Sequence, residues 1–207
     1  MTMSKRVLTA TITIVLILQG ATALAEPSNR EFSQATVGGG CFWCIEAVFD
    51  EVAGVEKAES GYAGGSVEQP DYGAVCDGVT GHAEVVQVTF DPTVISYEEV
   101  LLIFFGVHDP TTKDRQGADV GTQYRSIILA ADATQETAAT ELVARLDTEG
   151  VYSRPMVTQV ERLERFWPAE DYHQDYYRRN QAQGYCQAVI APKLAKFRKE
   201  FAAKMKR

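Results

Sequence analysis

An α/β fold of the α+β kind, with a mixed sheet covered by helices on one face or both, is what this 207-residue sequence predicts. Segments with two-residue alternation and segments with helical spacing follow one another along the chain, the pattern of a sheet with covering helices. Two of the alternating runs, Val55–Ala63 and residues 82–90, are placed to pair as neighbours; in the second, Val86, Val88 and Phe90 alternate with Gln87 and Thr89. A composition of 45% hydrophobic and 23% charged residues belongs to a folded globular chain, not a disordered one.

The elements follow in order. A strand begins near Phe32 and runs into Gly38, Gly39 and Gly40, and a helix over 43–52 places Ile45, Val48, Phe49 and Val52 on one face before Gly54 stops it. The connection between the two pairing strands is long and rich in turn residues. Ser96 and Glu99 have capping-box spacing ahead of Val100, Leu101, Ile103 and Phe104, so a helix starts there. Residues 108–126 have almost no apolar periodicity, and a loop of that length inside a compact domain is usually functional or disordered. A buried strand over 125–130, a helix over 134–147 and a strand over 156–161 come next. A helix with Pro168 in its first turn is expected over 168–180, then a turn over 181–186 and a basic helix over 191–206.

Residues 1–25 have the layout of a secretory signal peptide. Lys5 and Arg6 precede an apolar run from Val7 to Leu18, and Ala23-Leu24-Ala25 offers a small-residue cleavage site. The run is shorter than the roughly 20 residues that span a bilayer, so cleavage after Ala25 and no stable membrane insertion are expected. Export to a periplasm or beyond follows. Residues 26–34 read as a flexible lead-in and 35–207 as one domain, expected to act as a monomer. Loss of Lys5 and Arg6 takes the formal charge from −8 to −10, which argues against nucleic acid or an anionic membrane as partner.

All four cysteines, Cys41, Cys44, Cys76 and Cys186, lie outside the leader. An even count in an exported chain suggests disulfides, but a domain of this length can build a core without them. Chemistry is the other use. Cys41 sits at a helix start, where unpaired N–H groups and the helix dipole should lower a thiol pKa, so it is a candidate nucleophile. Phe42 and Trp43 beside it are available as an apolar wall. Cys41 and Cys44 form a C-x-x-C, which can be half a zinc site or a thioredoxin-like redox pair. The remaining cysteines and the three histidines show no ligand spacing, so no metal is expected; a thiol–disulfide oxidoreductase built on Cys41 and Cys44 stays open. Cys76 reads as a packed cysteine.

The segments "GGCFWCIEAVF", "SGYAGG", "TGHAEVVQVTFDP", "FFGVHDPTTKDRQGADVGTQYRS" and "PAEDYHQDYYRRN…GYC" together resemble the A-type peptide methionine sulfoxide reductases. The resemblance implies a two-layer sandwich with a ferredoxin-like core and a thiol-dependent reduction of methionine-S-sulfoxide, free or in oxidised proteins and peptides, that repairs oxidative damage. It implies Cys41 as the nucleophile, Phe42 and Trp43 as the seat of the S-methyl group, and Glu84 as the acid, with Tyr72 and Tyr124 as phenolic donors to the oxygen. Glu84 lies among Ala83, Val85 and Val86, where a partly buried carboxyl has a raised pKa. Asp119, His173, Tyr176 and Tyr185 match further positions of the pocket. Cys186 matches the resolving cysteine, with Gly184 letting the tail turn. Cys44 stands where glycine is common in the family, which makes it a possible second resolving thiol. No bound cofactor is implied; the electrons come from an external dithiol, a thioredoxin-like reductant.

Overall fold

The computed structural model describes residues 31–206. The leader expected at 1–25 and the first part of the lead-in lie outside the described residues. β1 (Ser33–Gly38) takes in Ser33 and Gln34 of that lead-in, which pair with Phe90 and Thr89. Then come α1 (Phe42–Phe49), β2 (Val55–Ala63), a short α2 (Tyr72–Cys76), β3 (Ala83–Phe90) and α3 (Tyr97–Val107). The loop region carries a two-residue hairpin, β4 (Arg115–Gln116) with β5 (Asp119–Val120), and is followed by β6 (Ile127–Ala130), α4 (Ala133–Thr148) and β7 (Gln159–Arg162). β8 (Trp167–Pro168), α5 (Tyr176–Arg179), a π-helical turn at Cys186–Ile190, α6 (Ala191–Glu200) and a 3-10 turn at Ala202–Lys204 are the last elements among the described residues.

The main sheet has the order β7-β6-β1-β3-β2-β8. Within it β1, α1, β2, β3, α3 and β6 follow as βαββαβ, with β6 and β3 flanking β1 and β2 beyond β3, all antiparallel to their neighbours. That is the ferredoxin-like core. β7 adds to β6 in parallel and makes the sheet mixed. Along β3, Val86, Val88 and Phe90 point into the main core with α1, α3, α4 and α6; Ala83 and Val85 face the other way and form a small cluster with Ala63, Ile127 and Leu129 under Leu163 and Phe166. The helices therefore lie on one face, and by the same alternation Glu84 points to the helix side.

The capping box at Ser96 is present in both halves: Ser96 Oγ accepts the Glu99 N–H at 3.2 Å, and Glu99 Oε2 accepts the Ser96 N–H at 2.9 Å. The expected helix over 168–180 is not there. Pro168 lies in edge strand β8 against Gly61, where its missing N–H leaves no gap in a ladder, and only Tyr176–Arg179 is helical. Between them, Gln174 exchanges hydrogen bonds with the Ser60 backbone at 3.1 and 2.9 Å, and Glu170 accepts the Tyr72 N–H at 3.0 Å. These tertiary bonds replace the local helical ones. Nor is 181–186 a simple turn, because helical backbone begins at Gly184 and runs through the π-turn into α6, which ends at Glu200 rather than Lys206.

Candidate active site

Gly38, the last residue of β1, and Gly39 and Gly40 after it deliver Cys41 to the start of α1. A Cβ on Gly39 would lie 2.7 Å from the His108 ring and 2.9 Å from Phe104, so only glycine admits the buried imidazole; Gly40 turns the chain with φ +96°. His108 is held by the Phe104 carbonyl at 2.7 Å and Ser126 Oγ at 2.8 Å, and burial pushes its pKa down to about 4, so it is neutral. Cys41 is the N-cap residue, only 7% exposed.

Glu84 is 1% exposed and its Oε2 accepts the backbone N–H of Phe42, the residue after Cys41, at 3.0 Å. Burial raises its pKa to about 8, against the pull of that N–H and reinforced by the charges of Asp119 and Cys44. It is thus protonated at neutral pH, one residue from the Cys41 thiol. Tyr72 and Tyr124 are pushed up first by burial and then by neighbours that include Glu84, and they remain phenols.

Around the thiol lies an aromatic enclosure. Trp43 stacks on Tyr176 with ring centroids 3.6 Å apart and planes 6° from parallel, meets Tyr185 edge-on at 6.0 Å, and donates its indole N–H to His173 Nδ1 at 3.1 Å. That bond assigns the proton of the neutral imidazole to Nε2, which is buried without a hydrogen-bond partner among the described residues. Phe42 is fully buried against Tyr62 at 5.8 Å and His173 at 5.0 Å. Phe42 therefore supports the wall from behind, and half-buried Trp43 is its accessible part.

The thiols depart from the sequence reading. All four are free. Burial, then the Cys44 thiol and Glu84, push the Cys41 pKa up, opposite to the lowering expected of a helix start. The Cys41 thiol hydrogen-bonds to Cys44, and that bond, with Lys193 and Tyr185, lowers Cys44 to about 7. Tyr185 donates to Asp119 Oδ2 at 2.7 Å and also hydrogen-bonds to the thiol pair, which joins Asp119 to the site. Cys186 is fully buried; its pKa is raised by burial and then by the charge of Cys44, while no bond joins it to Cys41 among the described residues. Cys76 is half-buried at the end of α2, with its thiol hydrogen-bonded to Tyr72, and is not the packed cysteine expected.

Sequence reasoning missed two residues that order this site. Tyr62, directly across from Glu84 in the sheet, donates to Glu170 Oε2 at 2.8 Å, and Glu170 also holds the Tyr72 N–H. The signal was present in the alternation of β2, which puts Tyr62 on the same face as Glu84, and in the helical spacing of Tyr72 and Cys76 after the N-cap Asp71.

Fold and site together define an α+β protein with a thiol pair at a helix start, beside a buried carboxyl and inside an aromatic enclosure. A family model for peptide methionine sulfoxide reductase matches residues 33–205. The peptide methionine sulfoxide reductase MsrA of Chromobacterium violaceum is 55% identical over 168 residues, 81% of this chain and 96% of that protein. The one from Deinococcus radiodurans is 56% identical over 173 residues, 84% of each. Among solved structures, methionine sulfoxide reductase A of Corynebacterium diphtheriae superposes with a TM-score of 0.71 at 34% identity, covering 79% of this chain and 80% of that one. Reduced Mxr1 of Saccharomyces cerevisiae gives 0.69 at 31% identity, covering 78% and 91%. The chain belongs to the peptide methionine sulfoxide reductase family, A type.

Proposed function

We propose that this enzyme reduces methionine-S-sulfoxide, free or in oxidised proteins, and that Cys41, Glu84 and Cys44 divide the chemistry among them. The observation that carries this reading is the protonated Glu84 held against the Phe42 N–H, one residue from the Cys41 thiol. The sulfoxide methyl lies on Trp43, where sulfur meets an aromatic face. Cys41 sulfur attacks the sulfoxide sulfur and its proton passes to the Cys44 thiolate, while Glu84 gives its proton to the oxygen with Tyr72 and Tyr124 as further donors. The hydroxyl then passes from the sulfoxide sulfur to Cys41 as the new sulfur–sulfur bond breaks, so that methionine leaves with the electron pair of that bond and Cys41 becomes a sulfenic acid. Cys44, now a thiol in contact with that sulfur, attacks it and expels water to give the Cys41–Cys44 disulfide. Cys186, buried within range of the Cys44 charge, then exchanges into that disulfide, and a thioredoxin-like dithiol that reaches the exchanged pair returns two electrons. Asp119, through Tyr185, holds the thiol pair.

Racemic methionine sulfoxide peptide incubated with the protein and dithiothreitol tests the reading. Consumption that stops near half, with only the R epimer remaining, supports it. No consumption, with reduction of insulin disulfides instead, assigns Cys41 and Cys44 to thiol–disulfide exchange. Cys44→Ser and Cys186→Ser separate the resolving steps. Cys44→Ser should accumulate sulfenic acid after one turnover, and Cys186→Ser should form the first disulfide but recycle slowly with a thioredoxin. The leader-like residues 1–25 support export; a mature chain beginning at Glu26 in an extracytoplasmic fraction is the expected result.

A further inference from the structure

One buried carboxylate has no part in the steps above. Glu46 lies on α1, three residues past Trp43, and is 2% exposed. Its Oε1 accepts the N–H of Asp175 at 3.0 Å, and the Tyr176 N–H is directed at the same carboxylate. Asp175 has φ +53°, a left-handed conformation that side chains other than glycine rarely adopt. Its own carboxylate is turned outward to Arg178 at 2.6 Å. The two residues nearest it in the pocket are the ones that contact Trp43: Tyr176 by stacking at 3.6 Å, and His173 through the indole N–H. The turn 173–176 is therefore one wall of the aromatic enclosure, and its attachment to the helix of the nucleophile runs through Glu46.

A carboxylate in this position is not explained by packing. Burying it is unfavourable, and an apolar residue would fill the same space on α1 without that penalty. What the carboxyl adds is acceptor capacity for two converging backbone donors, kept despite a burial that raises its pKa to about 7. Strained backbone persists at sites where the surroundings over-determine it, and here the over-determining group is identified.

We infer that Glu46 is a positioning residue for sulfoxide binding: it clamps the strained Asp175–Tyr176 turn against α1 so that Trp43, His173 and Tyr176 present one fixed enclosure to the substrate methyl. The inference rests on the reading of Trp43 as the methyl-binding face. It assigns no role to Glu46 in the chemistry at sulfur, so its loss should change binding and leave the thiol alone.

The test uses the full chain carrying Glu46→Gln, assayed with a methionine sulfoxide peptide and dithiothreitol, with Cys41 alkylation by iodoacetamide followed by peptide mapping. Loss of one acceptor oxygen and of the carboxylate charge predicts a KM increase of about tenfold at about pH 8, where the carboxyl is ionised, with kcat within about threefold. The Cys41 alkylation rate should stay within about twofold, because the Glu46 bonds do not reach the thiol. Adding Asp175→Gly, which removes the strain, should recover part of the lost KM. An unchanged KM with only a lower melting temperature makes Glu46 structural and overturns the inference, as does a fall in kcat that tracks a fall in Cys41 alkylation. A double variant no better than Glu46→Gln overturns the strained turn as the clamped element. Hydrogen exchange on the wild-type chain gives a reading that does not depend on the variant folding: the Asp175 and Tyr176 amides should exchange at least about a hundredfold more slowly than free peptide, and fast exchange overturns the clamp. If the wild-type chain consumes no sulfoxide while those amides are protected, the function proposed above fails and the clamp stands without its substrate.

Discussion

Glu84→Gln should make the protein more stable as it makes it less active. Glutamine keeps the size of the side chain and an acceptor for the Phe42 N–H, and removes only the charge and the proton. In the folded chain burial raises the Glu84 pKa from 4.5 to about 8. Below pH 4.5 the carboxyl is protonated in folded and unfolded chains alike, and it has no pH-linked effect on stability. Between pH 4.5 and about 8 the unfolded chain releases a proton that the folded chain retains, so wild-type stability falls with rising pH. Above about 8 the folded chain must hold a buried anion, and the whole penalty is present. At about 1.4 kcal/mol for each pH unit, the displacement from 4.5 to about 8 amounts to ~5 kcal/mol. Urea unfolding of both proteins at pH 5 and pH 9 measures it: the variant should differ little at pH 5 and be more stable by several kcal/mol at pH 9. Turnover should fall by roughly 10²–10⁴-fold at pH 7, the usual contribution of a general acid. Wild-type turnover should fall about tenfold per pH unit above pH 8 as the proton is lost. A stability difference that is the same at both pH values would refute the burial argument, and full activity in the variant would refute the acid.

Three further outcomes are expected. Cys41→Ser abolishes sulfoxide consumption in a chain with an unchanged melting temperature; near wild-type rates would remove Cys41 as the nucleophile. Gly39→Ala drives a Cβ against His108 and Phe104 and should destabilise by about 1–3 kcal/mol, as overpacking does, read as a lower urea midpoint; an unshifted midpoint would mean that the glycine turn tolerates the contact. Tyr62→Phe leaves Glu170 without its phenolic donor and should cost about 1–2 kcal/mol, with a higher KM because Glu170 also holds Tyr72; a KM unaffected by the change would detach Glu170 from substrate binding.

What could be read from the sequence was what local periodicity encodes. β2 has the bounds that alternation gave it, Val55–Ala63, and α3 begins at the capping box that Ser96 and Glu99 announced. Glu84 was legible as a buried acid because its neighbours on β3 are apolar. Residues 168–180 misled because their polar side chains satisfy the backbone of other elements: Gln174 bonds to β2 and Glu170 to α2, and no helical spacing reports such partners. The thiol order was illegible for a related reason. A helix start lowers a thiol pKa only while water or donors reach it, and how deeply Cys41 is buried depends on β3 and on Tyr185, more than forty residues away in sequence.

The position of β1 bears on when the enzyme can take shape. β1, the first strand among the described residues, lies between β3 and β6, and Thr36 finds its partner in Leu129, 93 positions later. Contacts so distant in sequence form slowly. Until β6 has arrived, the segment from Gly38 to Cys44 has no finished sheet to rest on, and its two thiols stand open to oxidants and to one another. The finished protein buries Cys41 and Cys44, whereas the newborn chain exposes them longest, so the medium in which it folds must be reducing enough, or folding fast enough, for both to arrive unoxidised.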